Sequence, residues 1–367
     1  MSNPKTPSVL EQKINEFFYT YIFRIPFPQK MQFAHHLQIM TKAGLSIVAG
    51  LKILSQEIEN PQLKKIIAEI KSDVEKGQQL SEALGRHPRV FPPIYVNMVA
   101  AGESAGKMED ALANIHNQMQ KSHELSSKIR GAMIYPAVIL VAMGGIAVEI
   151  VFFVLPKLMT MFQEFNAELP LPTRILIVIT NTAQNFGLYI FVALIGLVIL
   201  TIYLLKQPAI KKIVHAGSLH LPIFGAIIRK INLASFTISL SSLLKSGIPI
   251  IDAVKTTATV QSNVIYRDAL LIVAEQLKKG ETISKILQNY PKLFPAMVTE
   301  MIMVGEETGQ VEQMLAEMAE YYANEVDQTM KNFSTIIEPV IILTLGLATA
   351  GIAVAVIMPM YSLAQSF

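Results

Sequence analysis

Three groups of residues could carry chemistry by type and spacing. The first is Gly102-Glu103-Ser104-Ala105-Gly106-Lys107-Met108, in which two glycines and a lysine are the ingredients of a loop that wraps phosphate in backbone N–H groups. Such a loop needs four residues between its glycines and a Ser or Thr after the lysine to hold magnesium. Here three residues separate the glycines, Met108 follows the lysine, and no strand precedes the segment. The same pattern returns as Gly305-Glu306-x-x-Gly309, with Gln310 in place of the lysine. Nucleotide binding is therefore not expected. Gly102, Glu103, Gly106, Gly305, Glu306 and Gly309 read instead as helix–helix corners, in which glycines permit sharp turns and the carboxylates cap the backbone that follows. A contact with a partner protein is the functional alternative for the same corners.

The second group is a single carboxylate, Glu149, deep in an apolar run. A charge at that depth is costly unless it is protonated, paired or turned toward neighbouring helices. An ion-coupled transporter would use it as a proton or ion site, and a structural protein would seat it against a helix seam or let it reach toward the headgroups. The third group is the histidines. His35 and His36 are adjacent, and His116 and His123 lie two helical turns apart. Neither pair has the i, i+4 spacing of a chelating helix face, so no metal is expected. No cofactor is expected either, and no catalytic residue is assigned. The apolar runs hold no Ser, Asp, His or Cys to serve as nucleophile or base, which removes intramembrane hydrolysis.

The elements that would position these residues follow from composition. Of 367 residues, 51% are hydrophobic and 16% charged, against about 25% charged in a typical soluble domain. That balance argues against a soluble enzyme and excludes a disordered chain. A net charge of +3 is too even for a nucleic-acid binder with a basic face. The absence of cysteine excludes disulfides and thiolate chemistry. Of the 59 charged side chains, 53 fall in residues 1–132 and 206–335. The remainder contains apolar runs at Met133–Leu155, Gly187–Leu205 and Ile336–Met358, of 23, 19 and 23 residues. About 20 apolar residues suffice to cross a bilayer as a helix, so three transmembrane helices are expected. Asn181, Thr182, Gln184 and Asn185 precede the middle run, and the second helix could begin before them with a wet first turn.

Basic residues near span ends stay on the cytoplasmic side. Lys121, Lys128 and Arg130 precede the first run, and Lys206, Lys211 and Lys212 follow the second. The expected order is an amphipathic arm (1–28), a cytoplasmic lobe (29–132), a span (133–155), an external loop (156–186), a span (187–205), a connector and second cytoplasmic lobe (206–335), a span (336–358) and an external tail (359–367). No cleavable signal peptide is visible, and the first span would act as the insertion signal. In the arm, Leu10, Ile14, Phe17, Tyr21 and Ile25 make an apolar stripe suited to a membrane surface or a docking helix.

The chain also repeats itself. Adding 203 to a residue number in the first lobe reaches its counterpart in the second without a gap: Gly44 meets Gly247, Gly77 meets Gly280, Phe91-Pro92 meets Phe294-Pro295, Gly102-Glu103 meets Gly305-Glu306, and Pro156 meets Pro359. About 26 of 113 aligned pairs are identical between Gly44 and Pro156, a true internal duplication. The counterpart of Glu149 is Ile352. Within each lobe the apolar residues recur at helical spacing, as in Ile66, Ile67, Ile70 and Val74, and no stretch alternates long enough for a sheet. The fold class expected is all-α: a polytopic membrane protein with two duplicated cytoplasmic helical bundles and three transmembrane helices.

These features together resemble the type II secretion F family, the polytopic inner-membrane platform proteins of type IV pilus and type II secretion machines. The resemblance is carried by Leu37–Ser46 and Leu240–Ile250 at the start of each lobe, the paired Phe-Pro turns and the paired Gly-Glu-x-x-Gly corners. The connector Leu221-Pro222-Ile223-Phe224-Gly225 before Arg229 is also similar. It covers roughly residues 30–360. It implies a non-enzymatic scaffold in the cell inner membrane that forms a homo-oligomer. Its implied partners are a cytoplasmic hexameric assembly ATPase, pilin or pseudopilin subunits, inner-membrane alignment proteins and membrane lipid, with no nucleic acid. Small residues at Gly144-Gly145 and Ala348–Gly351 would permit close packing of the spans.

Overall fold

The computed structural model describes residues 25–157 and 171–365. The stripe of the N-terminal arm up to residue 24, loop residues 158–170 and the last two residues of the tail lie outside that description. Among the described residues every regular element is helical. The first repeat comprises α1 (Phe27–Lys42), α2 (Ile47–Glu57), α3 (Pro61–Glu75), α4 (Leu80–Gly85), α5 (Pro93–Ala105) and the long α6 (Met108–Glu149). A π-helical turn, Ile150–Val154, follows directly. Next come α7 (Leu171–Lys206) and α8 (Pro208–Ser218). The second repeat comprises α9 (Phe224–Lys245), α10 (Ile250–Val260), α11 (Val264–Leu277), α12 (Ile283–Leu287), α13 (Ala296–Thr308) and α14 (Val311–Gln365).

The duplication is visible in the backbone. Helices α2 and α10 begin and end at positions 203 apart, as do α5 and α13. The six glycines with positive φ form three matched pairs: Gly44 and Gly247 (88° and 77°), Gly77 and Gly280 (both 88°), Gly106 and Gly309 (66° and 71°). Each closes a helix in the left-handed conformation that only glycine adopts without strain. Asn60 and Asn263, another matched pair, cap α3 and α11 through their side-chain oxygens, which accept from Leu63 N and Gln62 N in one copy and Ile265 N in the other. The helix stops read from the sequence are thus set by local chemistry repeated at the same offset.

The structure divides into two compact units. One takes the described residues up to 126 together with 228–324, so both helical bundles fall within one compact unit. In the first bundle Leu51, Leu63, Ile67 and Ile70 are fully buried, and in the second their counterparts Val254, Tyr266, Leu270 and Val273 are equally buried. Tyr266 adds size at this level, and its hydroxyl donates to Leu293 O at 2.8 Å. Its ring meets Phe294 edge-on at 5.5 Å. Helix α9 is also long and apolar enough to cross a membrane, but 61% of its apolar window is buried. Leu233, Phe236, Leu240 and Leu243 lie in the bundle core, so its hydropathy reflects burial in protein.

The other unit takes the described residues of 127–227 and 325–367. Its apolar windows in α6, α7 and α14 are 6%, 0% and 6% buried. Side chains such as Val141, Leu188, Tyr189 and Leu347 are more than two-thirds exposed, on helices long and apolar enough to cross a bilayer. Helices α6 and α14 run unbroken from their bundles into the apolar segments, through Pro136 in α6 and through Pro339 in α14. Helix α7 begins at Leu171, before the polar residues 181–185. The glycines at 144, 145, 346 and 351 have nothing within 4 Å of a built Cβ, so close span packing does not fall on them. It falls on Gly187, where a Cβ would lie 3.2 Å from the Phe152 ring.

Candidate functional site

The paired Gly-Glu-x-x-Gly segments form the corners between α5 and α6 and between α13 and α14. Each residue in them has a separate task. Gly106 N donates to Glu103 O and Lys107 N to Gly102 O (3.2 and 2.8 Å), closing α5 around the left-handed Gly106. Gln310 N donates to Gly305 O at 2.8 Å in the second copy. The first glycine sets the distance between helices. A Cβ on Gly102 would sit 2.3 Å from the Ala111 methyl, and one on Gly305 would sit 2.8 Å from Val311 Cα. No larger residue fits where the returning helix crosses so closely.

The glutamates depart from expectation. Their carboxylates do not cap the backbone that follows; they reach back 22 and 23 residues to the start of the short helix before. Glu103 accepts from Leu80 N at 2.5 Å, from Ser81 N at 3.0 Å and from the Ser81 hydroxyl. Glu306 accepts from Ile283 N at 2.6 Å, from Ser284 N at 3.2 Å and from the Ser284 hydroxyl. Helices α4 and α12 have no side-chain cap of their own. A distant carboxylate therefore satisfies their first N–H groups and meets the positive end of each helix dipole. The sequence signal was present in the matched Ser81 and Ser284, but spacing alone does not say which carboxylate folds onto them. The arrangement places the same carboxylate-to-helix-start clamp in both copies.

Glu149 lies exposed at the end of α6, just before the π-helical turn. It makes no hydrogen bond or ion pair among the described residues. The histidines, in contrast, are brought together in a way that spacing did not reveal. His35 of α1 stacks on His116 of α6 with ring centroids 4.3 Å apart, and His123 stacks on Phe27 at 5.6 Å. Burial and then the neighbouring His35 pull the His116 imidazole below its usual range, partly opposed by a hydrogen bond the ring donates to the Met31 carbonyl. No group of three or more metal-ligating side chains occurs among the described residues. Burial alone pushes the Tyr95 phenol up to about 12, consistent with a core position on α5. In the connector, Ile223 has a φ of 65°, a conformation strained for a β-branched residue.

Where the bundles meet inside their shared unit, the contacts are polar and specific. Asn97 Nδ2 of α5 donates to Thr256 Oγ1 of α10 at 2.8 Å. Ser242 of α9 donates to Gln118 Oε1 of α6 at 2.6 Å, and Gln118 Nε2 donates to Ser239 at 3.4 Å. A cleft of about 770 Å³ opens beside the first of these, between Ala100 and Ser104 on one side and Asp252 and Lys255 on the other.

A duplicated helical bundle, a clamped corner in each copy and lipid-ready helices define a polytopic membrane protein built from two repeats. Residues 33–156 and 236–359 each match the family described as Type II secretion system (T2SS), protein F. The two matches are offset by the same 203 residues as the internal repeat. The chain belongs to this family. It is 34% identical over 332 residues to a type IV pilus assembly protein PilC of Myxococcus xanthus, covering 90% of this chain and 79% of that protein. It is 31% identical over 331 residues to a PilC of Thermus thermophilus, covering 90% and 81%. It is 30% identical over 332 residues to a type II secretion system protein F of Vibrio cholerae, covering 90% and 82%.

Proposed function

We propose that this chain is the inner-membrane platform of a type IV pilus assembly machine. Its role is to couple a cytoplasmic hexameric assembly ATPase to the polymerisation of pilins drawn from the membrane. The observation that carries the reading is the duplicated bundle joined to apolar helices, shared over 90% of the chain with relatives named as pilus assembly proteins. Both bundles face the cytoplasm in this reading, with residues 156–186 and 359–367 outside, because basic residues flank the bundle ends of the first two spans. Hydrolysis belongs to the motor. The platform contributes shape, through bundles stiffened by the Glu103 and Glu306 clamps, and works alongside inner-membrane alignment proteins. A type II secretion platform acting on pseudopilins is the second reading, supported by the Vibrio cholerae relative.

The test is co-purification of the tagged full-length protein from its native membrane in mild detergent, with bound proteins identified by mass spectrometry. A hexameric ATPase and pilins are expected. Pseudopilins in place of pilins would move the assignment to the secretion machine, and recovery with a transport partner and no motor would overturn the platform reading. Glu149→Gln separates the transporter alternative: assembly and partner recovery are expected to be unchanged, whereas an ion-coupled transporter would lose flux.

A further inference from the structure

The duplication makes an asymmetric interface inside one chain and leaves its equivalent open. The first bundle offers α5 and α6 to α10 and α9 of the second bundle. By the 203-residue offset, the second bundle carries the same offering face on α13 and α14, and the first carries the same receiving face on α2 and α1. Among the described residues, Glu300, Met303, Val304 and Tyr321 on the first of these faces and Ile39 on the second remain exposed.

Their residues differ from the covered pair in a consistent direction. Asn97, Ala100 and Ala101 are partly covered on α5, whereas their counterparts Glu300, Met303 and Val304 on α13 are exposed. Gln118 is buried, at 2% exposure, and its counterpart Tyr321 is 43% exposed. On the receiving side Ser242 corresponds to Ile39, which is 49% exposed, and the buried Thr256 corresponds to the half-covered Ile53. At 39, 53, 303, 304 and 321 the open positions are large and apolar or aromatic where the closed ones are small or polar, with Glu300 in place of Asn97 and His36 in place of Ser239 as polar exceptions. Charge is complementary as well. Glu300 and Glu307 border the offering face, and Lys42 and Lys52 border the receiving one.

We infer that the occupant of each open face is a second copy of this chain, with α13 and α14 of one protomer docking on α2 and α1 of the next. The contact repeats between protomers the geometry that joins the two bundles within one. Its two sides are different surfaces, so the contact is head-to-tail and closes into a ring when the rotation permits. Glu300 takes the place of Asn97 and falls beside Lys52, while Met303, Val304 and Tyr321 cover Ile39 and Ile53. This contact uses nothing of the pilus assignment. Failure to recover motor or pilins would leave it standing, and its own failure would leave those partners unaffected.

The chain has no cysteine, so engineered pairs report cleanly. Asn97→Cys with Thr256→Cys serves as the within-chain control, because those side chains already touch. Glu300→Cys and Ile53→Cys are its between-chain equivalents. The two single variants, co-expressed in native membranes on differently tagged full-length chains and oxidised, should give a disulfide-linked dimer carrying both tags. Neither variant alone should give one. Glu300→Lys in an otherwise unaltered background should lower association of the two tagged chains, and Lys52→Glu on the partner should restore it. Absence of the mixed dimer while the control pair closes would overturn the inference. So would a Glu300→Cys variant that links to itself or to a different protein.

Discussion

The first bundle has the α5 face around Asn97 and Ala101 partly covered, whereas the second leaves the matching face of α13 open, with Met303 and Val304 exposed. Yet the corners behind those faces are alike to within a few tenths of an ångström in their carboxylate hydrogen bonds. The difference teaches that duplication kept the parts that build a bundle and released the parts that meet something else. What stays identical is what backbone geometry requires: left-handed glycines, a carboxylate cap and a close helix crossing.

The largest expected effect probes that crossing. Gly305→Ala drives a methyl against the main chain of Val311, which cannot rotate away, and should destabilise the protein by about 3 kcal/mol. Gly102→Ala meets the Ala111 side chain, and its cost should fall by about 2 kcal/mol when Ala111→Gly is added, because the obstacle is then removed. Gly305→Ala has no such rescue at one side chain. Thermal unfolding of the detergent-purified full chain measures both.

Next come the clamps. Glu103→Ala and Glu306→Ala each strand two backbone N–H groups and a serine hydroxyl, and each should cost about 2 kcal/mol. Glutamine keeps an acceptor but loses the charge, so it should recover about half of that loss. Local hydrogen exchange at residues 80–85 and 283–287 should rise in the matching variant only. Equal losses in both copies would mark the clamp as structural in each; a loss of partner recovery without a loss of protection would reassign one corner to a contact.

The smallest effect belongs to the histidine stack, present in one copy only. The counterparts of His35 and His116 are Ile238 and Ala319, both in the core. Because burial lowers the folded His116 value, the unfolded chain takes up the proton first as pH falls. Stability is therefore full above the ordinary histidine value of about 6.5 and declines as pH drops below it toward the lowered folded value. Relative to the intrinsic exchange rate at each pH, protection across that window should fall in α1 and the start of α6 and stay level in α9 and the start of α14. His116→Ala, which imports the second copy's residue, should flatten the response.

Much of the architecture was legible because its causes are local. Apolar runs long enough for a bilayer, glycine stops and the gapless offset of 203 residues need only neighbours in sequence, and together they determined the helical class, the repeat and the apolar helices. Helix α9 shows the limit: its hydropathy alone admits a span, and burial of Phe236 and Leu240 decides otherwise. The path of the Glu103 and Glu306 carboxylates, the His35–His116 stack and the joining of both bundles into one unit were settled only in three dimensions. Each depends on residues from about 20 to about 160 positions apart, and no periodicity encodes which of several compatible partners a side chain will meet. Sequence fixes what each segment can do locally; packing selects, among those options, the contacts that leave the fewest buried groups unpaired.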